Sequence, residues 1–130
     1  MDIKRLSCYK IGIPEIDIDH EEIARLIELL YNSINDNELV IFKILDTLTK
    51  TIITHFRNEE IHMDKNNYPF LNHHAIEHAY CLGKIFLLSV SVKKHNDKYK
   101  LLYINEIFNE LLSHIDNYDL KYAYYLQNKG

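Results

Sequence analysis

Apolar residues recur at intervals of three and four through four long stretches of this chain, and that spacing restricts its fold more than any other feature. Residues so spaced share one face of a helix. The first stripe is Ile16, His20, Ile23, Ile27, Leu30 and Ile34; the second is Ile41, Leu45, Leu48, Ile52, His55 and Glu59. The third runs Leu71, His74, His78, Cys81, Ile85, Leu88 and Val92, and the fourth Ile104, Ile107, Leu111, His114 and Tyr118. Asn35 to Asn37 reads as a turn, and Lys65 to Pro69 as a loop, because Pro69 disfavours helix at Tyr68. A polar run from Lys93 to Lys98 separates the last two stretches. Helices are predicted over about 17–34, 38–64, 70–93 and 98–126. Asp17 and Asp19 are plausible N-caps for the first, and Asp19 with Glu22 resembles a capping box. Residues 1–16 hold Ile3, Leu6, Ile11, Ile13 and Pro14 without a helical period, and read as an extended arm. The expected fold is all-α: one domain over 1–130, an up-down-up-down antiparallel four-helix bundle carrying an N-terminal arm. Only three Gly and two Pro among 130 residues agree with long helices and short connections.

With 47% apolar and 26% charged residues, the composition is that of a globular domain rather than a disordered chain. A net charge of -4 and the lack of a basic stripe argue against a nucleic-acid partner. Met1 to Cys8 has no apolar core of a signal peptide. The near-apolar run Ile85 to Val92 falls short of the ~20 residues of a membrane span. Cys8 and Cys81 form no C-x-x-C pair and read as reduced thiols, with Cys81 a small buried hydrophobe. A cytoplasmic chain with no membrane partner is expected.

Five of the eight histidines (His20, His55, His74, His78 and His114) lie on interior stripes. Helix direction alternates in such a bundle. Residues early in the first and third helices therefore meet residues late in the second and fourth, and these five fall at one end. A lone His on an apolar stripe is more often a core residue bonded to a neighbour. Five at one height, with Glu59, are another matter. Each ring has two nitrogens to satisfy, and a metal cluster takes one from each while leaving the other to an acceptor behind it. His62, His73 and His95 are read as bystanders, since only His74 of its pair has a partner at i+4.

Three rival motifs weigh less. His74-Ala-Ile-Glu-His78 fits the H-x-x-E-H of inverzincin peptidases, but is short and leaves His20, His55 and His114 unexplained. Glu59-Glu-Ile-His62 fits the E-x-x-H of ferritin-like di-iron proteins, but lacks a second copy. A structural zinc site would use four ligands and favours cysteine. Spacing alone does not choose Asp119 over Asp116 on the fourth helix. Asp119 lies five residues past His114, a rotation of roughly 140° on an ideal helix, so a local distortion, or approach to the metals from two sides of the helix, is required.

His20, His55-Phe-x-x-Glu59-Glu60, Tyr68-Pro69, His74-x-x-x-His78 and His114-x-x-x-x-Asp119 together resemble the hemerythrins, most closely the single-domain bacterial ones. The likeness runs from about Cys8 to Leu126. Trp, frequent in the arm of relatives, is absent, and Tyr9 is expected in its place. The resemblance implies two iron ions, cycling between ferrous and ferric, with an oxo or hydroxo bridge. His74, His78 and His114 would bind one iron, His20 and His55 the other, and Glu59 and Asp119 both. Ligand type alone would also admit manganese. The implied function is reversible dioxygen binding for storage, delivery or sensing, with an open position on the iron of His20 and His55. Oxygenation would leave the net charge of the centre unchanged, which suits a site of low dielectric. By position, Leu112, Phe56, Ile23 and Ile27 are expected to wall the oxygen pocket. The chain is thus read as a binding protein rather than an enzyme. The alternatives are a di-iron enzyme acting on peroxide or nitric oxide, with Tyr118 or Tyr122 as a protic group, and an oxygen-responsive signalling module. The signalling reading is weakened because relatives of that kind carry an output domain. A monomer is expected, with an oligomer left open.

Overall fold

A computed structural model describes residues 10–94 and 97–129 of the chain. Ile3, Leu6, Cys8, Tyr9 and His95, on which expectations were placed, lie outside the described residues. Four rods form an all-α bundle, with no strand among the described residues. They are α1 (Pro14–Asn32), α2 (Glu38–Lys65), α3 (Leu71–Lys94), and a fourth made of α4 (Asp97–His114), a π-helical turn (Ile115–Asp119) and α5 (Leu120–Gln127). Each rod packs on the next, α1 on α2, α2 on α3 and α3 on α4, and α4 closes back on α1.

The first helix starts earlier than expected, at Pro14 rather than Asp17. Proline suits the first helical position, where its fixed φ is already helical and its missing N–H would have no partner. Ile13 is the N-cap, with extended backbone and no side-chain cap. Asp17 instead reaches back to accept the N–H groups of Ile11 (2.8 Å) and Gly12 (3.2 Å). It thereby holds the incoming chain, which turns at Gly12 with a positive φ of 87°. Asp19 does not cap either; its carboxylate goes to His55.

The second helix is capped by Asn37, whose side chain accepts from the Leu39 N–H at 2.8 Å. It ends in a Schellman arrangement. Asn67 takes a left-handed φ of 55°, the Tyr68 N–H returns to the Met63 carbonyl, and the Asn67 N–H to that of Asp64. Pro69 then prevents continuation, and α3 begins at Leu71. Ile27, Leu30, Ile41, Leu45, Leu48, Ile52, Ile85, Ile104 and Ile107 are all but inaccessible and form the apolar core of the bundle.

By length and mean hydropathy (1.3 over its best window), α3 is sufficient to cross a membrane, which the shorter run Ile85 to Val92 did not suggest. Only 28% of that window is buried. Its buried side carries His74 and His78 into the bundle.

Candidate metal centre

At one end of the bundle, His20 from α1, His55 and Glu59 from α2, His74 and His78 from α3, His114 from α4 and Asp119 from the π turn converge. All seven expected ligands are brought together and all are buried. They form two overlapping sets, Glu59, His74, His78, His114 and Asp119 in one, His20, His55, Glu59 and Asp119 in the other. Within each set the ligand atoms lie within 4.8 Å of one another.

The two carboxylates divide their oxygens between these sets. Glu59 Oε1 lies 2.7 Å from His74 Nε2 and 3.0 Å from His78 Nε2, while its Oε2 lies 3.1 Å from His55 Nε2. Asp119 Oδ1 is 3.1 Å from His114 Nε2 and 3.2 Å from His74 Nε2, while its Oδ2 is 3.2 Å from His20 Nε2. Each carboxylate thus presents one oxygen to the three-histidine set and the other to the two-histidine set.

Asp119 reaches this position through the π turn. There the Leu120 N–H bonds the Ile115 carbonyl, five residues back, in place of the usual four. The wider turn takes up the extra residue, so His114 and Asp119 face the same point. Of the two arrangements that the spacing allows, the backbone adopts the local distortion. Asp116, the competitor from spacing alone, is exposed.

Behind the ligands stand two carboxylates whose roles the spacing did not reveal. Asp19 Oδ2 accepts from His55 Nδ1 at 3.0 Å, and Glu60 Oε2 from His78 Nδ1 at 2.8 Å. Such partners fix the ring and leave Nε2 with its lone pair toward the centre. The signal available was adjacency, since Asp19 precedes His20 and Glu60 follows Glu59. Phe56 stacks on His78 with centroids 4.0 Å apart and planes 9° from parallel.

The donor set fits a cation. Nε2 of His20 and of His114, Oε2 of Glu59 and both oxygens of Asp119 are buried without a hydrogen-bond partner, although oppositely charged atoms lie close by. Leaving such atoms unpaired costs about 1–3 kcal/mol each. They are aimed at a shared point rather than at one another, and a metal ion there would satisfy them together. Imidazole and carboxylate suit iron and other borderline divalent ions.

Where only protons balance the charge, the centre still favours positive charge. Burial opposes charging His55, yet bonds to Asp19 and Glu59 raise it to about 10. Burial likewise opposes His114, which Asp119 and Glu59 raise to about 9. For Asp119, burial and the Glu59 charge act upward, but the surrounding His114, His20 and His74 hold it at about 2. Burial would raise Glu59 too, and four histidines bring it well below the usual carboxylate range.

Beside the centre is a small internal cavity of ≈ 10 Å³, about one water-sized sphere. Besides ligands it is lined by Ile23, Phe56, Leu111 and Ile115. Ile23 and Phe56 were expected there; Leu112 and Ile27 are buried but do not line it. Leu111 is on the cavity side of the helix, and Leu112, roughly 100° around from Leu111, is not. Ile27 lies a turn further down α1 from Ile23, away from His20.

The remaining histidines stay outside the centre. His62 Nδ1 meets the Tyr122 hydroxyl, which donates to the His62 carbonyl at 3.1 Å, and His62 Nε2 lies 3.6 Å from Glu15. His73 is exposed beside Tyr118. Glu77, the acid of the H-x-x-E-H match, and His62, the base of the E-x-x-H match, join neither ligand set. Cys81 is a buried free thiol, and burial first of all pushes it up to about 12.

A family model, the hemerythrin HHE cation-binding domain, matches residues 11–126. No curated protein and no solved structure matches the chain.

Proposed function

Because the chain belongs to the hemerythrin HHE cation-binding family, we propose that its buried centre holds two iron ions and binds dioxygen reversibly, for storage, delivery or sensing. The observation that carries this reading is the division of the Glu59 and Asp119 oxygens between a three-histidine and a two-histidine set, beside a cavity with apolar walls. Glu59 and Asp119 would each offer one oxygen to either ion. His74, His78 and His114 would complete the hold on one ion, and His20 and His55, a smaller donor set, that on the other. Two ferrous ions in these positions would supply the two electrons by which dioxygen is held and returned.

The remaining work falls to this chain's side chains. Asp19 and Glu60 take the Nδ1 protons of His55 and His78 and so orient both rings. Ile23, Phe56, Leu111 and Ile115 exclude water and offer no proton to a ligand in the cavity. The two tyrosines considered as protic groups for an enzyme lie elsewhere. The Tyr122 hydroxyl is engaged with His62, and Tyr118 bonds Glu77; neither lines the cavity. The wall thus favours binding over turnover of peroxide or nitric oxide. A cytoplasmic setting, suited to unpaired thiols, belongs to the same proposal.

The test is anaerobic loading with ferrous iron, a count of iron per chain, and cycles of oxygen and argon. Two irons and a visible absorption that appears with oxygen and disappears under argon are expected. One iron, no absorption, or an absorption that does not reverse overturns the reading. Sustained turnover of peroxide or nitric oxide with a reductant would favour the enzyme instead.

A further inference from the structure

We infer that the outer face of α3 is a contact surface between two copies of this chain, packed antiparallel about Gly83. Opposite the stripe that carries His74 and His78, this helix presents Ile76, Ala79, Tyr80, Gly83, Phe86 and Leu87 in succession. Ile76 and Leu87 are each 66% exposed, Tyr80 61% and Phe86 59%. A soluble surface helix normally turns a polar face outward, and one that is apolar all round is a buried one. The bundle covers only the inner side.

The surface is large enough for a dimer. Four large side chains at this exposure account for on the order of 500 Å². With their immediate neighbours they approach the ~800 Å² per partner of an ordinary stable interface. The shape also suits a second copy. A Cβ built on Gly83 meets nothing within 4 Å, so the chain's own packing does not require glycine there. Glycine inside a helix is nevertheless destabilising relative to alanine. Together with Ala79 it makes a notch between bulky residues. A two-fold axis at Gly83 brings Phe86 and Leu87 of each copy over the notch of the other, a self-complementary arrangement of the kind closed dimers use.

A lipid surface fits less well. The inner face of α3 is committed to the bundle through His74 and His78. The flank toward α4 carries Glu77, Glu106 and Glu110, while Lys84 there is paired with Glu110 at 3.4 Å. That excess of acid repels anionic headgroups.

Sedimentation velocity of the full chain over a rising concentration series tests the proposal. The mass is expected to climb from 15.5 kDa toward twice that value. Leu87→Glu and Gly83→Gln, at exposed positions, are each expected to weaken the dimer by about tenfold or more with an unchanged circular-dichroism melt at low concentration. A wild-type chain that stays monomeric throughout overturns the inference. So does a dimer that both folded variants retain undiminished, or a chain that pellets with phosphatidylcholine vesicles in place of self-associating.

Discussion

Glu59 and Asp119 are each inaccessible to solvent; Glu59 turns one oxygen to His74, His78 and His114 and the other to His55, and Asp119 one to His74 and His114 and the other to His20. A carboxylate shared in this way cannot be replaced by strengthening a histidine, because its loss opens both halves of the centre together. Glu59→Ala is therefore expected to lose both irons, and Asp116→Ala to keep both. Iron counting after anaerobic loading distinguishes the two, and two irons retained in Glu59→Ala would remove Glu59 from the bridging role. His20→Ala should leave the three-histidine half with the higher affinity of the two. Asp19 acts at one remove. It holds His55 through Nδ1, and residues in that relation to a ligand typically contribute 10–100-fold, roughly, in metal affinity. Asp19→Ala is expected to release the second iron to a competing chelator about 10–100-fold more readily while the first stays bound. Equal release from both halves would show that Asp19 serves the fold and not His55.

At the scale of elements, the decisive piece is a single π turn. The stripes on α1, α2 and α3 could be read from three- and four-residue spacing, because those helices are regular where they carry ligands. His20, His55, Glu59, His74 and His78 were accessible for that reason. Asp119 was accessible only through family resemblance, since a π turn leaves no periodic trace and spacing compares residues on an ideal helix. Leu111, by contrast, was legible, since it shares the stripe of Ile107 and His114, and the expectation of Leu112 as a pocket wall departed from that spacing. Deleting Asn117, an exposed residue inside the turn, should restore ordinary α-helical spacing and leave Asp119 four residues past His114, still on its face. The shortened protein is expected to keep both its helical circular dichroism and its metal binding. Loss of metal binding after the deletion would show that the turn does more than take up the extra residue. The start of α1 gives a milder case. Asp17 and Asp19 have the residue type of caps, but Pro14 opens the helix first, and both carboxylates serve groups outside their own helix.

For the whole molecule, alternating helix direction was enough to predict that ligands from four rods meet at one end. The balance of charge at that end follows from the same convergence. Without metal, protons must offset two buried carboxylates. His55 at about 10 and His114 at about 9 lie above the ordinary 6.5 of an unfolded histidine. A group whose folded pKa is raised stabilises fully below its unfolded value and loses that contribution as pH rises through the folded one. Their support is thus complete below about pH 6.5 and gone above about pH 10. Asp119, at about 2 instead of 3.8, acts at the other end: its contribution is present above pH 3.8 and lost as pH falls through about 2. Chelator-treated protein should therefore melt at its highest temperature in mildly acidic solution, and at progressively lower temperature from pH 6.5 toward pH 10. Metal ions take the place of those protons, so loading releases protons and is favoured as pH rises. The melting temperatures of loaded and stripped protein are accordingly expected to diverge with increasing pH. Differential scanning calorimetry of both forms across pH 5 to 10 measures this directly. A gap that is constant or narrows toward pH 10 would mean that the histidines of the stripped protein are not held protonated by Glu59 and Asp119.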